Sequence, residues 1–359
     1  MSLSLMKSTI CIAEDRVACE PSLKILLLSL NAHCPGIEIN LFYPPANQNF
    51  LAWIEKYPQI RLQTDHLAQG FRWNVKPQAI MRLLDRGFDE VIWIDSDVIV
   101  TRNIAPIFSG LESQILLISD EGRDRNALNA HRTRLWDLPV GRVLPFVLNS
   151  GVFRATKDHY PLMQRWWELL QSKEYQMAQQ KGYTQSPIHM KGDQDVLTAL
   201  LVSSEFSHIP IRLLRRGRNL VLFDGIFGYT VGNRLRNLFR GASPLIHITG
   251  LKPWSANWRM DRPIRLKDYI ERAYFDVSPY TLSALRFRGE LECDTGWMEP
   301  HCLLSLILRV SGMGCQPLVG LPIAVLADLV RVGRFVRTTF IRMKSRIKVG
   351  RVGGLENIP

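Results

Sequence analysis

The chain has 359 residues, of which 46% are hydrophobic and 22% are charged, and its formal net charge is +12. That length and apolar content exclude a single small domain and favour one large α/β domain with an appendage. The six cysteines form neither a Cys-x-x-Cys pair nor a dense framework. We therefore expect reduced thiols and a cytosolic setting.

The positive charge is concentrated near the C-terminus. Residues 331–351 hold eight Lys or Arg and no Asp or Glu, which leaves 12 − 8 = +4 for the rest of the chain. The opening stretch MSLSLMKSTICIAEDR lacks the charged and apolar regions of a signal peptide. We therefore expect no secretory leader, and we expect an anionic partner for the basic tail rather than for the whole protein.

Strand and helix patterns alternate in the first hundred residues. Strands are predicted at 8–13, 37–43, 59–63 and 91–100, and helices at 21–33, 49–57 and 76–87. This alternation indicates a parallel, doubly wound sheet. In such sheets ligands bind beyond the carboxyl ends of the strands.

The same patterns continue to about residue 277. Strands are predicted at 115–119 and 146–156, a polar loop over the site at 120–137, helices at 158–180 and 195–203, and a strand-rich stretch at 206–249. The alternation is lost near Ser278 and Pro279. The predicted fold class is α/β, with a mostly parallel central sheet flanked by helices in residues 1–277 and a helical C-terminal extension in 278–359.

Two carboxylates interrupt the apolar run VIWIDSDVIV at 91–100. In a continuous strand, Asp95 and Asp97 project to one side and Ser96 to the other. Such a pair repels unless a cation lies between its members, and a hard divalent metal with oxygen ligands fits. The alternative is an ordinary strand end whose two carboxylates are solvated.

Two enzyme classes place an Asp-x-Asp motif after such a strand. The haloacid-dehalogenase-like phosphatases use the first Asp as nucleophile, which would be Asp95, but Ile99 stands where Thr or Val is usual. Their downstream acidic motif has a different spacing from KGDQD here. A non-catalytic nucleotide-sugar-binding or scaffold protein is a further alternative.

The evidence for the second enzyme class lies in five sequence segments, which occur in the following order: TICIAED, WIDSDVIV, LNSGVF, GDQDVL and HITGLKPW. Over residues 8–275 the chain resembles the metal-dependent glycosyltransferases of the GT-A (Rossmann-like) fold, in particular glycosyltransferase family 8. The resemblance implies transfer of a sugar from a nucleotide-diphosphate donor, UDP-sugar first, to a glycan or glycolipid, with retention of configuration.

The resemblance also implies roles for individual residues. Asp95, Asp97 and His247 would hold Mn²⁺ (or Mg²⁺), and a nitrogen ligand favours Mn²⁺. Asp193, Gln194 and Asn149 would act at the transferred sugar. The other donor-binding positions are Ala13, Asp15, Lys76, Ser96, Ser150, Gly250 and Lys252. One residue separates Gly250 from Lys252 where the family usually has two, and Lys76, Lys252 and Asp193 could equally be ordinary residues at helix starts or on the surface.

The C-terminal extension carries a separate pattern. Residues 310–327 are uncharged, but their glycines and prolines make a poor transmembrane helix. From Val325 to Met343 apolar residues recur every three or four positions, with Lys and Arg on the other side. We expect a helix on an anionic membrane surface, which makes the enzyme peripheral at the cytoplasmic face. A helix packed on the catalytic domain is the alternative, and nucleic-acid binding is disfavoured because no aromatic platform accompanies the arginines.

Overall fold

The computed structural model describes residues 6–64, 67, 74–123, 130–223, 225, 228–255, 265–292 and 295–333. The strands are β1 Ser8–Ala13, β2 Ile39–Phe42, β3 Ile60–Leu62, β4 Glu90–Ile94, β5 Val98–Val100, β6 Leu116–Arg123, β7 Phe146–Thr156, β8 Ile211–Leu214, β9 Leu220–Phe223 and β10 Leu245–Ile248.

Helices flank the strands and make up the C-terminal region. They are α1 Glu20–His33, α2 Gln48–Ile54, α3 Lys76–Asp85, α4 Ala105–Phe108, α5 His131–Leu135, α6 Tyr160–Gln171, α7 Lys173–Gln180, α8 Asp193–Val202, α9 Val231–Arg240, α10 Leu266–Asp276, α11 Pro279–Ala284 and α12 Leu303–Ser311. Residues 321–333, called the C-terminal helix below, are also helical.

The strands form two sheets. The larger has the order β3-β2-β1-β4-β7-β6-β8, and all of its pairings are parallel except the two made by β7. The smaller has the order β5-β10-β9. Buried apolar residues pack on both faces of the large sheet, in two clusters. This arrangement confirms the predicted α/β, GT-A-type fold with a mostly parallel central sheet.

The predicted strand at 91–100 is wrong in one respect that matters for the site. The chain forms β4 and β5, which belong to different sheets, and residues 95–97 make the turn between them. The Asp95 N–H donates to the Gly151 carbonyl at 2.8 Å, and the Val98 N–H donates to the Asp95 carbonyl at 3.1 Å. The turn, rather than strand alternation, therefore sets the direction of the two carboxylates.

Other differences from the predicted elements have local causes. The predicted helix at 158–180 is divided at Ser172, whose hydroxyl accepts from the Tyr175 N–H at 3.2 Å and caps α7. The loop predicted at 120–137 contains the end of β6 and helix α5. The strand-rich stretch contains α9, whose apolar residues Leu235, Leu238 and Phe239 face solvent, so its periodicity does not mark a buried face.

The C-terminal region is helical, as predicted, and contacts the rest of the chain through buried aromatic and polar groups. The Trp254 ring lies 5.4 Å from Tyr280 and 5.9 Å from Trp297, measured between ring centroids. The Asp276 carboxylate accepts from the His301 N–H at 2.9 Å and from the Ser305 hydroxyl at 2.6 Å. The division of the chain into residues 1–277 and 278–359 stays a prediction.

Candidate functional site

A cleft of about 1260 Å³ lies where β1 and β4 end, next to the small sheet. It is larger than the ~300–1,000 Å³ of an ordinary ligand pocket. All of the predicted site residues except Asp15 line it: Ala13, Lys76, Asp95, Ser96, Asp97, Asn149, Ser150, Asp193, Gln194, His247, Gly250 and Lys252. The fold thus gathers segments that are up to 239 residues apart in the chain, from Ala13 to Lys252.

Asp95, Asp97 and His247 form a candidate metal centre. Each residue offers one ligand atom, and these atoms lie within 4.8 Å of one another. The small sheet brings His247 to the motif, because β10 pairs with β5 and places His247 opposite Val98. His247 is 4% exposed, so the imidazole lies inside the protein and faces the cleft.

Gly151 makes space for that imidazole. A Cβ built on Gly151 would lie 2.3 Å from His247 Cε1 and 2.7 Å from Nδ1, well inside van der Waals contact. Gly151 lies in the LNSGVF segment, next to the sugar-side candidate Asn149 and to Ser150. In the structure its immediate neighbour is the third candidate metal ligand.

Asp97 lies between His247 and Lys252. His247 Nε2 is 3.0 Å from Asp97 Oδ1, and Lys252 Nζ contacts Asp97 Oδ2. Burial alone would raise the pKa of this carboxyl, but Lys252 and His247 outweigh burial and hold the pKa of Asp97 well below its ordinary value. Asp97 is therefore an anion near neutral pH.

The donor atoms present fit a divalent cation. Among the described residues, His247 Nδ1 is a buried atom without a hydrogen-bond partner, and Asp97 Oδ1 is a buried atom whose only close polar neighbour described is the His247 ring. Buried polar atoms are rarely left unpaired, and each orphan invites an explanation such as an ion or water. Two carboxylates and an imidazole suit Mn²⁺, and the carboxylates suit Mg²⁺.

Lys76 joins the two acidic parts of the cleft. Its ammonium lies 3.0 Å from Asp95 Oδ1 and 3.2 Å from Asp193 Oδ2, and it donates to Ser150 Oγ at 3.0 Å. Burial by itself lowers the pKa of Lys76, but the two carboxylates outweigh it and raise the pKa above its ordinary value. The Trp93 indole N–H also donates to Asp95 Oδ1 at 2.7 Å, so Asp95 is held from two sides.

We expect Lys76→Met to lower the free energy of unfolding by about 3–5 kcal/mol, because it leaves buried carboxylates without their cation. Urea denaturation at pH 7 measures this change. Lys157→Met is the matched control: Lys157 pairs with Asp89 at 2.8 Å, but both side chains are largely exposed, so the expected loss is below about 1 kcal/mol. Equal losses in the two variants would contradict the role given to Lys76.

Asn149, Ser150 and Asp193 form a hydrogen-bonded group beside Lys76. Ser150 Oγ donates to Asp193 Oδ2 at 2.7 Å. Asn149 Nδ2 donates to Gln194 Oε1 at 3.4 Å and to Glu121 Oε1 at 3.2 Å. The Asn149 amide orientation is thereby set, and the side chain lies in the cleft wall next to Gln194.

Asp195 pairs with a residue that sequence interpretation did not select. The Arg132 Nε donates to Asp195 Oδ1 at 2.7 Å, and both side chains are nearly buried. Burial raises the pKa of Asp195 to about 6, and Arg132 opposes that rise. No motif marks Arg132, since it lies in the segment predicted as a loop and meets Asp195 only after α5 packs on α8.

This raised pKa predicts a pH-dependent stability. The unfolded carboxyl has a pKa of ~3.9, so the folded state binds the proton of Asp195 more tightly than the unfolded chain does. Protonated Asp195 therefore contributes its full stabilisation of the fold below pH ~4. As the pH rises through the folded pKa, this contribution to the free energy of unfolding is lost, which amounts to about 2–3 kcal/mol. Asp195→Asn should therefore lack this part of the pH dependence in urea unfolding measured from pH 4 to pH 7; parallel curves for variant and wild type would contradict the assignment.

The end of β1 forms one side of the cleft. Glu14 is 5% exposed, and its carboxylate accepts from Arg16 Nε and Nη2, each at 2.7 Å. Ser96 Oγ also donates to Glu14. Asp15 is exposed and is not among the residues that line the cleft, whereas Glu14 and Arg16 are. The sequence evidence for Glu14 and Arg16 was their position, since both charged residues come directly after a buried strand.

The segment after β10 carries Lys252 into the cleft. Gly250 has a φ of +72°, in the left-handed region that favours glycine. Lys252 Nζ contacts both Asp97 and the Ile248 carbonyl. Trp254 is buried against Tyr280 and Trp297 and anchors the segment. The loop with one residue between Gly250 and Lys252 therefore still places the ammonium at the Asp-x-Asp motif.

Comparison with known proteins gives a family match. Residues 71–224 match the family model described as nucleotide-diphospho-sugar transferase. No curated protein matches the chain. Among solved structures, the galactosyltransferase LgtC in complex with donor and acceptor sugar analogs is 13% identical, with a TM-score of 0.47 over 79% of this chain and 99% of that one.

Two further structures are similar over most of the chain. Mouse xyloside xylosyltransferase 1 is 15% identical, with a TM-score of 0.43 over 67% of this chain and 96% of that one. The glycosyltransferase GlyE of Streptococcus pneumoniae TIGR4 is 14% identical, with a TM-score of 0.42 over 79% of this chain and 64% of that one.

The family match over residues 71–224, which is less than half of the chain, supports a nucleotide-diphospho-sugar transferase. The matched range contains the Asp-x-Asp motif, Asn149, Ser150 and the GDQD segment. The family resemblance predicted from the motifs is confirmed, and the matched family favours a sugar transferase over the phosphatase alternative.

Proposed function

We propose that the protein is a metal-dependent glycosyltransferase that moves a sugar from a UDP-sugar to a glycan or glycolipid, with retention of configuration. The observation that carries this proposal is that Asp95, Asp97 and His247 each offer a ligand atom within 4.8 Å of the others, and that the buried His247 Nδ1 has no hydrogen-bond partner among the described residues. These residues lie in one cleft with Lys252 and the sugar-side residues.

The chemistry of sugar transfer explains this charge distribution. The nucleoside diphosphate leaves as an anion, so negative charge grows at the leaving oxygen while the bond to the sugar breaks. A divalent cation held by Asp95, Asp97 and His247 would supply Lewis-acid stabilisation of that charge. Lys252, which lies beside Asp97, adds a positive charge on the same side, and Lys76 holds Asp95 and Asp193 in place.

The surroundings of the carboxylates support retention. An inverting enzyme needs a carboxylate base that removes a proton from the acceptor. Asp193 is held by Lys76 and Ser150, and Asp195 is held by Arg132. Neither is poised as a mobile base. We expect NMR of the product to show the anomer of the donor, and the opposite anomer would exclude retention.

Calorimetric titration of UDP with and without Mn²⁺ tests the donor and metal assignments together. We expect binding only when Mn²⁺ is present, because the diphosphate would meet the cleft carboxylates without a cation between them. Binding of another nucleoside diphosphate in preference to UDP would correct the donor. Failure of every nucleoside diphosphate with Mn²⁺ or Mg²⁺ would exclude the proposed function.

We further propose that the enzyme works at the cytoplasmic face of an anionic membrane. The C-terminal helix supports this, because Val325, Leu329 and Val332 are 42%, 62% and 59% exposed. This stripe faces solvent, while the other face of the helix packs on the rest of the protein through the buried residues Ile323, Ala324 and Ala327. The remainder of the predicted basic helix lies outside the described residues. None of the described helices is long and apolar enough to cross a membrane.

Replacing exposed apolar residues tests the membrane proposal. We expect Leu326→Glu combined with Leu329→Glu to weaken binding to phosphatidylglycerol vesicles at least about tenfold in a sedimentation assay, since one buried leucine contributes about 1.5–3 kcal/mol. Met177→Glu is the control, because Met177 is similarly exposed, at 60%, but lies on α7. Unchanged vesicle binding of the double variant would exclude this surface.

A further inference from the structure

Three basic residues that have no role in the proposed donor chemistry also line the cleft. Lys191, Arg216 and Arg331 line the cleft together with the catalytic residues. They come from three separate parts of the chain: the loop before α8, the turn between β8 and β9, and the C-terminal helix. The contacts described for their charged groups involve none of the carboxylates of the candidate metal centre.

The charged groups of these three residues make the following contacts. Arg216 Nε contacts Asp120 Oδ1 at 2.9 Å, and the Arg331 guanidinium lies 3.1 Å from Asp328 Oδ1. The Lys191 ammonium lies 5.3 Å from the centre of the Tyr183 ring. Arg216 Nε also donates to the Asp120 carbonyl at 2.9 Å, and both ion pairs are partly exposed.

The chain around Arg216 is also rich in positive charge. Residues 211–240, which form β8, β9 and α9, contain seven arginines and one acidic residue. The turn at Gly217 packs tightly on α9, since a Cβ there would lie 2.2 Å from Asn233 Oδ1 and 2.6 Å from an Arg236 guanidinium nitrogen. Thr230 and Asn233, at the positive end of the α9 dipole, also line the cleft.

The donor already has its own cations. Lys252 is placed at Asp97, and Lys76 is placed at Asp95 and Asp193. A cleft of about 1260 Å³ also has room for a second substrate. Arginine guanidinium groups bind phosphate in a bidentate manner, and lysine adds a point charge.

We infer that Lys191, Arg216 and Arg331 form an acceptor subsite for a phosphate group, so that the acceptor of this enzyme is a phosphate ester. The inference rests on the proposed function, since it assigns the second substrate of that same cleft. A phosphorylated glycan and a lipid-linked phosphate share this chemistry, and the experiment separates them.

The experiment measures acceptor binding with UDP and Mn²⁺ saturating, so that the donor site is filled. In the soluble arm, glucose 6-phosphate is titrated by calorimetry against glucose. In the lipid arm, a polyprenyl monophosphate in phosphatidylcholine vesicles is compared with phosphatidylcholine alone. We expect the phosphorylated compound to bind at least about tenfold more tightly in one arm, and that arm identifies the source of the phosphate.

Charge-removing variants locate the subsite. Lys191→Gln, Arg216→Gln and Arg331→Gln should each reduce the preference for the phosphorylated compound several-fold and leave the affinity for UDP within about twofold of wild type. Arg165→Gln is the control, because Arg165 is exposed on α6 and pairs with Glu168 at 3.0 Å. It should change neither affinity.

Three results would overturn the inference. A wild-type enzyme that binds UDP but shows no preference in either arm has no phosphate subsite. Variants that weaken UDP as much as the phosphorylated compound would assign the three cations to the donor. A wild-type enzyme that binds no nucleoside diphosphate at all would remove the proposed function, and the inference would fall with it.

Discussion

Asp97→Asn is expected to abolish metal-dependent binding of UDP and to reduce sugar transfer by at least about 10²–10³-fold, the size of effect seen when one charge-stabilising group is lost. The substitution keeps the shape of the side chain but removes the anion that faces both Lys252 and His247. Titration of UDP in the presence of Mn²⁺ measures the loss of binding. A coupled assay of UDP release measures the loss of transfer.

Asp89→Asn is the control for this prediction. Asp89 also pairs with a lysine, Lys157, at 2.8 Å, but the pair is exposed and Asp89 is not among the residues that line the cleft. We expect UDP binding and transfer by this variant to match wild type. If Asp97→Asn still bound UDP in a Mn²⁺-dependent manner, the Asp-x-Asp turn would not be the metal centre.

Gly151→Ala should lower the affinity for Mn²⁺ about 10–100-fold, as loss of a group that positions a metal ligand usually does. The added Cβ would lie 2.3 Å from His247 Cε1, so the imidazole must move away from Asp95 and Asp97. We also expect a loss of about 1–3 kcal/mol in the free energy of unfolding, because the site is overpacked. Electron paramagnetic resonance of free Mn²⁺ gives the affinity.

Gly192→Ala is the matched control within the same cleft. A Cβ on Gly192 would meet its nearest neighbour, Asp195 Oδ2, at 3.9 Å, which is an ordinary contact distance. Its φ is −155°, which any residue adopts. We expect unchanged Mn²⁺ affinity in this variant, and an equal effect of the two substitutions would show that His247 is not displaced in Gly151→Ala.

The local elements of the fold were largely predictable. The strand at 8–13 and the strand at 146–156 have the predicted bounds, because their side chains are buried on both faces and their apolar runs are nearly continuous. The helix at 76–85 begins close to its predicted start, since Pro77 is tolerated in a first turn. Where apolar residues face solvent, as in α9, the same reasoning fails.

The candidate site was predicted by residue type more than by geometry. Asp95, Asp97 and His247 were identified as metal ligands from their motifs, and the structure brings them together. The two carboxylates converge because the chain turns between two sheets, which no periodicity reveals. Glu14 was missed because its neighbours Ala13 and Asp15 were chosen from the TICIAED segment instead, and Arg16 was missed because it lies just beyond that segment.

The sequence by itself determined the α/β class, the residues able to hold a divalent metal and the basic, amphipathic character of the C-terminus, because alternation, residue chemistry and charge are local properties. Only the tertiary structure decided that Gly151 makes space for His247, that Lys76 joins Asp95 to Asp193, and that Arg331 reaches the cleft. Each of these depends on packing between segments distant in the chain, where burial and steric exclusion select the partner.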